Sequence, residues 1–275
     1  MDMLSLLDHP AVQAGVGPLL VALIVAMALS RTRFAWLGIV AGYATMIALS
    51  TGFAFSPLTA ARKVTLLCLG APLVGIAADL LGKPSRLIAA VFSAIAGALA
   101  VWAFVSVLRQ REGLAGYATA AGIALFVAAL VYTVLRLRDD GLRTGAAGLG
   151  LGLATGIAGL LSASIGFLAS GVSVAAAAGA LLLVQVLLSR TLAAGYTGAL
   201  PIGLSTALFA AGTLMLAELA WYVLPLLLLV PAAAMLPAPQ RAPRIVRAAV
   251  LAVYTLIAAI IPILAAWYAA RGSLN

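Results

Sequence analysis

From Ala146 to Ser189 the chain carries no charged residue. That stretch is twice as long as one membrane-crossing helix requires, and no soluble fold hides so much uninterrupted apolar surface. The pattern recurs throughout: 65% of the 275 residues are hydrophobic and only 8% are charged, against about 25% charged in soluble domains. The charges fall between apolar segments of roughly twenty residues. The expected fold class is therefore all-α, a polytopic transmembrane helix bundle forming one domain over 1–275. A barrel would show short alternating strands instead.

Hydropathy places about ten spans, at 11–30, 34–55, 64–81, 87–108, 115–135, 146–168, 172–189, 197–216, 219–236 and 245–269. Two boundaries lack a full charge break. Small residues put one turn at Ser170-Gly171, and the other division falls near Glu218. All connections are short, so no extramembrane domain is expected. The opening "MDMLSLLDHP" is acidic where a signal peptide is basic, and the first span reads as a retained helix. The single Cys68 excludes an intrachain disulfide and reads as a small packing residue.

The net charge of +9 reflects loop arginines and does not point to nucleic acid. With the N-terminus outside, inner loops hold Arg31, Arg33, Lys83, Arg86, Arg136, Arg138, Arg143, Arg190, Arg241, Arg244 and Arg247. Outer segments hold Arg62, Lys63, Arg109, Arg111 and Arg271, giving 11 against 5. The positive-inside rule then favours both termini outside. The bilayer is the expected partner, and the bacterial inner (cytoplasmic) membrane the expected location.

Two stretches resemble each other: "SRTRFAWLGIVAGYATMIALST" from Ser30 and "SRTLAAGYTGALPIGLST" from Ser189. An offset of 155 aligns Ser50-Thr51 with Ser205-Thr206, Pro84 with Pro239 and Arg86 with Arg241. A parallel repeat would pair spans 1–4 with 7–10, giving halves 11–108 and 172–269 with 115–168 inserted. Ser50-Thr51 and Ser205-Thr206 would then lie at equivalent depth. Biased composition and a five-plus-five inverted repeat are the competing accounts.

Gly148, Gly152 and Gly156 make a smooth stripe for close helix contact, either within the chain or with a second copy or another membrane protein. Ser93 and Gly97 form a shorter one. Pro72, Pro225, Pro231 and Pro262 interrupt spans, and interrupted helices in matching positions point to transport sites, though ordinary kinks share the pattern.

Ionisable groups at membrane depth are costly and hence functional candidates. Asp79 stands four residues before Lys83, which explains it as an acid–base pair at a helix end. Glu218 lies beside the interfacial aromatics Trp221 and Tyr222; a coupling role would make Glu218→Gln abolish pH-driven transport. Gln185 must face protein or water, since lipid would leave its amide unpaired. The substrate-path candidates are Ser50, Thr51, Pro72, Gln185, Ser205, Thr206, Glu218 and Pro225. No zinc cluster, haem-ligating histidine pair, P-loop lysine or G-x-S-x-G triad is present, so no metal or cofactor is expected. The sequence favours a permease or exporter of a small neutral, amphipathic or lipid-like substrate. The alternative is a non-catalytic scaffold, assembly or accessory subunit of a membrane complex; a lipid-modifying enzyme ranks third.

Overall fold

A computed structural model describes residues 9–53, 55–81, 85–111, 113–217, 219–239 and 241–272. Among them there are helices and connections but no strand. A π-helical turn, Val12–Val16, leads into α1 (Gly17–Ala28), and a 3-10 turn, Ala35–Leu37, leads into α2 (Gly38–Ser50). Then follow α3 (Ala60–Leu81), α4 (Arg86–Leu108), α5 (Gly113–Leu135), α6 (Gly141–Leu161), α7 (Ile165–Leu187) and α8 (Gly195–Leu216). The short α9 (Val223–Leu226) and α10 (Leu229–Ala234) precede the long α11 (Arg244–Gly272). An α-helix satisfies its own backbone in lipid, which is why apolar runs of this length take that form.

Each of the ten expected spans contains helix, and among the described residues seven helices are long and apolar enough to cross a membrane. The other three segments, Val12–Ala28, Ala35–Ser50 and Val223–Ala234, are shorter. The last departs most from the expected span 219–236. Twelve residues rise only about 18 Å, against about 30 Å of hydrocarbon. Its backbone is tightened: the amides of Leu224, Leu227, Leu228 and Val230 donate to carbonyls three residues back. Pro225 and Pro231 each remove a donor, so the segment breaks at Leu227-Leu228.

The expected turn at Ser170-Gly171 is displaced. The chain reverses at Ser162–Ser164, where Ala163 takes φ +57° and the Ser164 amide donates to Gly159 O at 2.9 Å. Ser170 and Gly171 lie inside α7. Gly171 is there for proximity: a Cβ on it would overlap the backbone of Gly156. The α6 stripe meets α7 rung by rung. A Cβ on Gly148 would come 2.9 Å from Ala178 Cβ, and one on Gly152 2.6 Å from Ala175 N. One on Gly156 would come 3.1 Å from Leu168 O. Of the partners the stripe allowed, α7 of the same chain is the one these three glycines meet. Gly97 serves the α4–α5 pair similarly, against Ala124.

The bundle is built around α8, which is buried along nearly its whole length. It packs on α3, α5 and α6; α11 lies on α6, and α1 and α2 lie on α7. Contacts gather the loops around 29–37, 136–140, 188–194 and 235–243 at one end, the arginine end. Residues 10–14, 50–51 and 164–166 meet at the other. The two ends of the 155-residue offset differ in form. Where α3 is one helix of 22 residues, its counterpart is split into α9 and α10. Whereas α2 stops at Ser50, α8 continues from Ser205 to Leu216. Ser50-Thr51 therefore sit at a helix end and Ser205-Thr206 in mid-helix.

Candidate functional site

One face of α2 presents Tyr43, Met46, Ile47 and Ser50, spaced i, i+3, i+4, i+7. A matching face of α3 presents Ala61, Val64 and Thr65. Both look into a cavity of about 790 Å³, completed by the first residues of α7, by Phe209 of α8 and by the turn before α1. It opens at the end opposite the arginine end. Its lining is mainly apolar, and among the described residues none of the lining side chains carries a charge.

The polar lining consists of hydroxyls and one amide: Gln13, Tyr43, Ser50, Thr51, Thr65 and Ser170, with Ser164 at the rim. Three hydroxyls donate to their own helix: Ser50 to Met46 O (2.7 Å), Thr65 to Ala61 O (3.2 Å) and Ser170 to Gly166 O (2.8 Å). Each oxygen keeps acceptor capacity for a guest. The Tyr43 ring stacks obliquely on Phe209, centroids 5.6 Å apart, and its hydroxyl neighbours Thr65, Cys68 and Ser170. Cys68 in turn neighbours Ser205. The arrangement suits a molecule with a large apolar body and a few neutral hydrogen-bonding groups.

The candidates from sequence distribute as follows. Ser50 and Thr51 line the cavity, and Ser205 lies one layer beneath it. Thr206 is buried and returns its hydroxyl to Ile202 O at 2.7 Å. Pro72 is buried within α3, and Pro225 is exposed in α9. Glu218 and Lys83 lie outside the described residues. Thr65, Ser170 and Gln13 were not singled out from sequence. The heptad-like face of α3 was a usable signal for Thr65, but it cannot say what that face meets.

Gln185 and Asp79 belong to a different cluster at the arginine end. Gln185 is fully buried, donates to Leu181 O at 3.3 Å and accepts from Leu192 N at 3.4 Å. Asp79 Oδ1 accepts from Tyr196 N (2.9 Å), and Oδ2 from both Thr197 N (2.8 Å) and Thr197 Oγ1 (2.7 Å). The carboxylate thus caps α8 from α3, where the helix dipole favours negative charge. Gly195, at φ +60°, gives it room; any Cβ would press on the carboxylate. Arg138 lies 4.9 Å from the Tyr196 ring centroid, and the Trp36 indole donates to Leu192 O at 3.2 Å. These bonds anchor the entry to α8 and tie α3 and the loops at this end to it. The Asp79–Lys83 pairing expected from spacing involves a residue outside those described; the carboxylate's three bonds across helices are what the structure shows.

Among the described residues no three His, Cys, Asp or Glu side chains are grouped to hold a metal ion. No protein family, curated protein or solved structure matches the chain.

Proposed function

We propose that the protein is a permease or exporter for a small neutral, amphipathic or lipid-like solute, working in the bacterial inner membrane with both termini outside. The observation that carries this reading is the uncharged, hydroxyl-bearing cavity of about 790 Å³ between α2, α3, α7 and α8. A neutral guest enters such a space without stranding a charge, and the hydroxyls replace part of its hydration. The cavity is open at one end, while Asp79, Tyr196 and Trp36 close the other, as one state of an alternating cycle requires. Transport then requires α3 and α8 to part where Gly75 rests on Tyr196 and Thr197.

The test uses proteoliposomes loaded with a panel of neutral amphipathic fluorescent dyes. The native protein is expected to speed efflux of at least one dye. Thr65→Leu with Ser170→Leu, which narrows the cavity and removes two of its hydroxyls, should cut that efflux tenfold or more at unchanged melting temperature. Absence of flux for every dye, together with a stoichiometric membrane partner after mild detergent extraction, would favour the scaffold reading.

A further inference from the structure

The helices α7 and α11 both pack on α6 but scarcely on each other. A trough of about 510 Å³ remains between them. Its walls on α7 and α11 are small, at Ala175, Ala176, Gly179, Ala248, Ala249 and Ala252, and Leu149 and Leu153 of α6 line it as well. Along α7 it runs from Val172 to Val186, a rise of about 21 Å. That exceeds one leaflet, about 15 Å as half of a hydrocarbon core of about 30 Å, so the trough has the length to lodge an acyl chain.

The arginine end of this trough carries unbalanced charge. Arg244 stands one helical turn before Ala248 and two before Ala252, on the face that lines the trough. Its Nη1 is buried and has no hydrogen-bond partner among the described residues, and the same holds for Arg247 Nε. The acid in reach is Asp140. Its Oδ1 caps α6 through Leu142 N and Arg143 N, while its Oδ2 pairs with Arg143 (3.2 Å) and Arg247 (3.7 Å). Arg143 is further satisfied by the carbonyls of Ala234 (2.6 Å) and Leu236 (3.0 Å). One carboxylate therefore serves two guanidinium groups, and Arg244 has none.

We infer that this trough is a binding site for an anionic phospholipid, with an acyl chain between α7 and α11 and the phosphate on Arg244 and Arg247. Length, apolar lining and charge surplus coincide in one place, and only an amphipathic anion satisfies all three. Guanidinium groups bind phosphate oxygens through paired N–H donors, which suits the two unpartnered nitrogens. The site does not depend on the transport reading: the two linings have only Val172 in common, and the charged end of the trough lies at the arginine end, away from the cavity mouth.

The test is native mass spectrometry of lipid-stripped protein in mild detergent, titrated with phosphatidylglycerol, phosphatidylcholine or inorganic phosphate. One phosphatidylglycerol should bind per chain, well ahead of phosphatidylcholine. Arg244→Ala with Arg247→Ala should weaken it roughly 25-fold, about fivefold per arginine. Arg244→Ala alone, which leaves the Asp140 pair intact, should account for about fivefold. Ala249→Trp should exclude the lipid while leaving the lipid-free melting temperature unchanged. Equal binding of the two lipids, or no effect of the arginine changes, would overturn the inference. So would competition by free phosphate as strong as that by lipid, or high-yield disulfide cross-linking of Ala249→Cys between copies in the Cys68→Ala background.

Discussion

Asp79 shows how a side chain that reads from sequence as part of a local pair can serve a distant helix in space. Its three bonds to the first turn of α8 cross 117 and 118 positions of sequence. Replacing it by alanine strands two amides and a hydroxyl. Asp79→Ala should cost about 2–4 kcal/mol, combining a cap with charge-assisted hydrogen bonds, read as a lower melting temperature in detergent. Asp79→Asn should recover part of that loss, because one amide oxygen still accepts. Gln185→Leu should cost about 1–3 kcal/mol, since it leaves Leu192 N without its acceptor in a buried site. The paired Ser-Thr dipeptides part company here too. Thr51 is exposed at the cavity rim, whereas Thr206 is fully buried and bonded to its own helix.

Among the elements, the α6–α7 hairpin has the closest contact, and its glycines explain why. Lipid supplies no hydrophobic drive between helices, so close backbone packing must hold them. Gly171→Leu should push α7 off Gly152 and Gly156 and destabilise the fold by about 1–3 kcal/mol or more. Gly122→Ala in α5 is the matched control: nothing stands within 4 Å of a Cβ there. It should be neutral or stabilise by up to about 1 kcal/mol through helix propensity. Thermal unfolding of the two variants side by side tests the contrast. The same packing logic accounts for the displaced turn, because serine and glycine at 170 and 171 mark a reversal in one context and a contact in another.

The molecule as a whole has two unlike ends, one tied together by arginines and a capped helix, the other open into the cavity. Cysteine labelling tests that asymmetry cleanly, since Cys68 is the only native cysteine. In a Cys68→Ala background, Thr51→Cys and Ser170→Cys should react with a membrane-impermeant maleimide. Thr206→Cys and Thr197→Cys should react at least tenfold more slowly, being fully buried. Equal labelling of all four would remove the open cavity from consideration. The same labels applied to sealed inverted and right-side-out vesicles report which end faces the cytoplasm.

The apolar runs and the charges between them determine a helical membrane bundle, its rough spans and the unequal sharing of arginine between ends. These are local properties, because each helix satisfies its own backbone in lipid whatever its neighbours do. A small part of the cavity lining was legible in sequence: Ser50 and Thr51 stood out as a polar pair in an apolar span. Tertiary structure alone decided that Thr65 and Ser170 join them, that Asp79 caps a distant helix, and that the Gly148–Gly156 stripe turns inward. Helix association in lipid depends on shape matching between surfaces far apart in the chain. A sequence shows each surface singly, and only the packed molecule shows which two meet.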